Sequence, residues 1–164
     1  MQAIIASLDQ LIKLHQALMT LAEVKKEAIM NNDVTALNQT VQKEQKLMKA
    51  IVEAEQHKSE AIEQYMQGRN LPITKGMTLS QLLKFVFQQQ DRTDLGERQE
   101  RLAALLNQLK EKNDLNQQLL KQSLAFIHFS LDLLTGSDED DVVYQNPAAS
   151  SKDQKRKGIF DTKA

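Results

Sequence analysis

Apolar positions along this chain recur at spacings of three and four residues, the period of an amphipathic helix and not the alternation of a strand. From about Ile4 to Met30 the stripe is Ile4, Leu8, Leu11, Leu18, Leu21 and Ile29, widened by Ile5, Ile12 and Leu14. Asn31-Asn32-Asp33 interrupts it. Their side chains compete with the backbone for hydrogen bonds, which suits a turn or an N-cap. A second stripe starts near Asp33 and runs through Val34, Leu37, Val41, Met48, Ile51, Val52, Ile62 and Met66, with a polar gap around Gln56 to Glu60. Gly68 is the expected stop of that helix, which at 1.5 Å per residue spans about 50 Å. Two long helices joined by a short polar turn predict an antiparallel hairpin.

The stretch Gly68 to Thr78 holds Gly68, Pro72 and Gly76 and is expected to be a loop. Thr78 with Gln81 forms a capping-box pattern. It opens a short apolar helix through about Gln90, carrying Leu79, Leu82, Leu83, Phe85, Val86 and Phe87. Asp91, Thr93 and Asp94 mark a further boundary, either a break or a bend. The last helix is expected from about Thr93 to Leu134, with Gly96 inside it and Thr135-Gly136 ending it. Beyond Gly136 the chain is poor in apolar residues and cannot bury enough surface to offset its ordering entropy. The predicted fold is therefore all-α: an antiparallel bundle of long helices (hairpin, short helix, long C-terminal helix) over residues 1–135, with a flexible tail over 136–164.

A helical wheel divides the last helix into two faces. One carries Leu95, Leu102, Leu105, Leu106, Leu109, Leu120, Leu124, Ile127, Leu131 and Leu134, and its length marks it as the bundle-facing stripe. The other begins only at Leu115 and carries Leu115, Leu119, Phe126, Phe129 and Leu133; upstream it holds Arg101, Ala104 and Gln108. An additional apolar stripe must cover something, since each buried Leu or Phe contributes about 1.5–3 kcal/mol. Two readings stand side by side: the short helix or the first helix packs on this face, or a partner helix does.

Composition narrows the function. Ala, Leu, Glu, Lys and Gln favour helices. A net charge of −1 gives no positive field for nucleic acid or an anionic membrane. The run Lys155-Arg156-Lys157 is expected to be a solvated tail. The absence of Cys removes disulfides and thiolate chemistry, and fits a reducing compartment. No apolar run approaches the roughly 20 residues of a membrane span, and the first residues lack the basic-then-apolar order of a signal peptide. A cytoplasmic protein without membrane insertion is expected. His15, His57 and His128 stand far apart, without a second ligand at metal spacing. No phosphate-binding, dinucleotide or nucleophile motif is present. Neither an enzyme nor a cofactor is expected.

The segment Asp114 to Gly136, DLNQQLLKQSLAFIHFSLDLLTG, resembles the leucine-rich helix of the FlgN family of flagellar export chaperones. The matching positions are Leu115-Asn116, Leu119-Leu120, Gln122-Ser123-Leu124, Phe126-Ile127 and Phe129. The turn Asn31 to Leu37, Tyr144 after the long helix and the terminal GIFDTKA are also similar to the family, in its Bacillus-type form. The resemblance implies binding of the C-terminal helices of the hook–filament junction proteins FlgK and FlgL, and delivery to the export gate protein FlhA. It places cargo on the face of Leu115, Leu119, Gln122, Phe126, Phe129 and Leu133, and gate docking on Tyr144. From the residues alone, Tyr144 beside Val142 and Val143 tucks against the bundle. Ile159 and Phe160 either clip the tail down or contact a partner. The alternative to a chaperone is a coiled-coil structural or adaptor protein that self-associates, for instance as a homodimer, through the same faces.

Overall fold

The structure is a computed structural model that describes residues 1–72 and 76–135. Tyr144, Ile159 and Phe160 lie outside the described residues. The elements are α1 (Gln2–Met30), α2 (Val34–Gln67), α3 (Leu79–Leu82), a 3-10 turn (Leu83–Phe85) and α4 (Gln89–Thr135). The long-helix hairpin, the short helix and the long final helix are all present, and the described residues contain no strand. Met1–His128 forms one compact unit; Phe129 begins another.

The Asn31-Asn32-Asp33 turn works as its composition suggests. Asn32 takes the left-handed conformation at φ 52°. This lets its N–H donate to Ile29 O and the Asp33 N–H to Ala28 O, tying up carbonyls at the end of α1. Asp33 then caps α2, its Oδ1 accepting from the Ala36 N–H at 2.9 Å. α2 stops at Gly68, as expected, its last helical residue being Gln67. Gly68 stays right-handed at φ −63°, ψ −12°. The left-handed residue is Asn70, at φ 55°, and it closes the same motif, with Asn70 N–H to Gln67 O and Leu71 N–H to Met66 O. An Asn side chain can hydrogen-bond locally and so tolerates this conformation where other residues do not.

The capping box at Thr78 forms in full: the Gln81 N–H donates to Thr78 Oγ1 at 3.2 Å and the Thr78 N–H to Gln81 Oε1 at 2.9 Å. The helix it opens is shorter than expected. The chain turns extended at Val86, φ −93° and ψ 114°, which puts Val86 into the core while Phe87 stays exposed. The break therefore falls at residues 86–88, and α4 runs uninterrupted through Asp91, Thr93 and Asp94. Their side chains bond inside the helix: Thr93 Oγ1 to Gln89 O at 3.0 Å, and Gln90 Nε2 to Asp94 Oδ1 at 3.1 Å. Asp91 lies in the first turn, where a negative charge meets the positive end of the helix dipole.

One core runs through the first unit. Its most enclosed part is at one end, where Ile4, Leu8, Leu11, Met66, Leu82 and Leu95 are fully buried. Four pieces of chain meet there: the start of α1, the end of α2, the Leu79–Val86 segment and the start of α4. Two partly exposed polar pairs mark the parallel course of α4 along α1. Arg98 grips Asp9 with two bonds of 2.8 and 3.3 Å, and Lys112 pairs with Glu23. Both pairs span 89 residues of sequence, so the two helices advance in step. Carried to the last residue of α1, that offset sets Met30 level with Leu119.

Candidate helix-binding surfaces on α4

The burial of α4 changes along its length because its supports run out. Leu95 and Leu102 are buried, and Leu105 and Leu109 half-buried. Past Leu119, α1 has ended, and both faces open to solvent: Leu120 is 39% exposed, Leu124 48% and Ile127 44%. The face expected to be bundle-facing along its whole length is so only as far as Leu109. Beyond that, within the first unit, Leu120, Leu124 and Ile127 are left largely in solvent.

The second face stands as follows. Leu115 is 42% and Phe126 67% exposed, Gln122 is exposed, and Leu119 is half-buried. Neither the Leu79–Leu82 helix nor α1 closes over Leu115 or Phe126. In the second unit, Phe129 and Leu133 are exposed, as are Leu131 and Leu134.

A second surface was not anticipated from the sequence. α1, α2 and α4 enclose an open groove of about 640 Å³. Its floor is Leu18 and Ile29 of α1. One wall is Leu37, Val41, Met48 and Ile51 of α2, and the other is Leu106, Leu109, Asn113, Asn116, Gln117 and Leu120 of α4. Each wall extends over fifteen residues, about 21 Å from its first Cα to its last. Val41, Met48, Leu106 and Leu120 are large apolar residues left exposed there. The Lys25–Glu44 ion pair, at 2.7 Å, lies at its edge.

Two buried polar side chains border the groove. His15 Nδ1 lies 2.7 Å from Leu11 O. Asn116, 3% exposed, donates its Nδ2 to Ala22 O at 2.8 Å, joining α4 to α1. Its Oδ1 is buried and has no hydrogen-bond partner. A buried, unmatched acceptor is costly, and Asn113 and Gln117 add polar groups to the same wall. The sequence did carry a signal. Asn113, Asn116 and Gln117 interrupt the apolar stripe between Leu109 and Leu120 on the same side of the wheel.

These surfaces suit the recognition of an apolar helix face more than chemistry on a small molecule. Among the described residues no group of three His, Cys, Asp or Glu could hold a metal ion. None of the described helices is long and apolar enough to cross a membrane. Comparison with protein families matches residues 1–152 to one described as FlgN protein. The chain belongs to the FlgN family. It is also 28% identical over 163 residues to the uncharacterized protein YvyG of Bacillus subtilis (strain 168), covering 99% of this chain and 98% of that one. No solved structure matches it. Membership in FlgN, a chaperone family and not an enzymatic one, supports a flagellar export chaperone role in general.

Proposed function

We propose that this FlgN-family chain is a cytoplasmic chaperone for the junction proteins FlgK and FlgL, holding their C-terminal helices until export. The observation that carries this reading is the apolar surface α4 leaves exposed from Leu115 onward. A helix that buries its apolar face only in the assembled filament needs a substitute partner beforehand, and an exposed apolar helix supplies one. Cargo contacts fall on Leu115, Leu119, Gln122, Phe126, Phe129 and Leu133. Covering the cargo helix prevents early assembly. Tyr144 then docks the loaded chaperone on FlhA, and release follows at the gate.

The test is size-exclusion chromatography of the full chain mixed with synthetic C-terminal helices of FlgK and of FlgL. A stable mixed complex is expected with each. A homo-oligomer indifferent to both peptides contradicts the reading and favours a self-associating adaptor. Tyr144→Ala is expected to keep cargo affinity and lose FlhA binding. Equal loss of both makes the tail part of the cargo site.

A further inference from the structure

We infer that Gln122 fixes the register of the cargo helix on α4, by hydrogen-bonding a polar residue that the cargo carries inside its own apolar stripe. This rests on the chaperone reading above and deepens it with a specificity-determining residue.

Three observations carry the inference. The first is period. Leu115, Leu119, Gln122, Phe126, Phe129 and Leu133 follow one another at spacings of four and three residues in strict alternation. That is the 3.5-residue repeat of a coiled-coil seam, which a partner helix running alongside α4 meets knob into hole. The apolar members hold such a helix but do not tell one register from another, since a slip of seven residues sets like against like over most of the row. The second is the flanks. In the same repeat the positions bordering the row are Asn116, Gln118, Ser123, Ala125, Ser130 and Asp132. Charges at such positions set partner choice and orientation in coiled coils. Here the one charge, Asp132, stands at the far end, so the flanks leave the register open. The third is Gln122 itself, the polar member of the row, between Leu119 and Phe126. Gln122 is exposed, and its side chain makes no hydrogen bond to another described residue, so its amide is within reach of an occupant. A cargo helix that covers Phe126, 67% exposed, and Leu115, 42% exposed, takes water from Gln122 as well. The amide is then either matched by a polar side chain of the cargo or left unsatisfied. One register matches it, and a slip of seven residues does not. A single polar residue in an apolar seam specifies register in this way, at a cost in stability of the pair.

The experiment measures binding of a fluorescent peptide of the FlgK C-terminal helix to the full chain by anisotropy, and its register by crosslinking. Since the chain has no cysteine, Ala125→Cys, beside the row, can carry a single photo-crosslinker. It is expected to label one position of the peptide. With Gln122→Leu added, affinity is expected to hold or to rise severalfold, while the label spreads to positions seven residues apart. Each polar residue of the peptide's apolar stripe is also replaced in turn by Leu. One of these replacements is expected to cost about tenfold against the native chain and under about twofold against Gln122→Leu. The arm with the native chain is independent of how the variant folds, and circular dichroism checks the variant. If the peptide binds the native chain, but Gln122→Leu keeps the same single crosslink and no peptide replacement costs more than about twofold, the register assignment is overturned while the chaperone reading stands. Weaker binding of every peptide alike by a folded Gln122→Leu makes Gln122 an ordinary contact and also overturns it. If no peptide binds the native chain, the chaperone reading itself fails and takes this inference with it.

Discussion

The two ends of the first unit use the same helices to opposite effect. At one, Leu8, Leu11, Met66, Leu82 and Leu95 are sealed among four pieces of chain. At the other, α1, α2 and α4 stand around a groove with Val41, Met48, Leu106 and Leu120 in solvent. The residue types barely differ. What differs is the number of neighbours the chain supplies: Leu79–Val86 completes one end, and α1 stops level with Leu119 at the other. An apolar residue is core or binding surface according to what lies beside it, and the helical period alone does not record that.

The largest effect that tests this contrast is in the sealed end. Leu8→Ala is expected to cost about 2–5 kcal/mol of stability in denaturant unfolding, whereas Met48→Ala at the open end is expected to cost under about 1 kcal/mol. Equal losses erase the distinction. Asn116→Ala is expected next, at about 1 kcal/mol, because it removes the amide bond that joins α4 to the Ala22 carbonyl of α1; a neutral result means water replaces the amide. Asp33→Ala removes the cap at the open end of the hairpin and is expected to cost about 1 kcal/mol. Lys112→Ala is expected to change stability least, under about 1 kcal/mol, as its pair with Glu23 is largely solvated. A larger loss marks it as holding α4 to α1.

Local chemistry was legible from sequence wherever neighbours in the chain decide the outcome. The turn at Asn31 to Asp33, the Thr78 capping box and the long helix spans follow from side chains that bond within a few residues of themselves. The misplacements were also local contests. Gly68 stops α2 as its type suggests, but the left-handed conformation that closes the end falls on Asn70. Asp91 to Asp94 suggested a boundary, yet their bonds reinforce α4, and buried Val86 places the break earlier. The groove was not legible because three distant segments build it. Its trace, the polar interruption at Asn113, Asn116 and Gln117, acquires meaning only once α1 and α2 are set beside it. The same limit misassigned Leu120, Leu124 and Ile127 to the bundle, since the wheel does not say where α1 ends.

The central claim is that the apolar reach of α4 from Leu115 is where a cargo helix lands. The most direct measurement compares the native chain with Phe126→Ser for affinity toward the FlgK C-terminal helix, with circular dichroism on both. Since burying one Phe contributes about 1.5–3 kcal/mol, the expected result is affinity about tenfold or more weaker, with helicity and melting temperature preserved. Undiminished affinity, or loss of the fold with the phenylalanine, contradicts it.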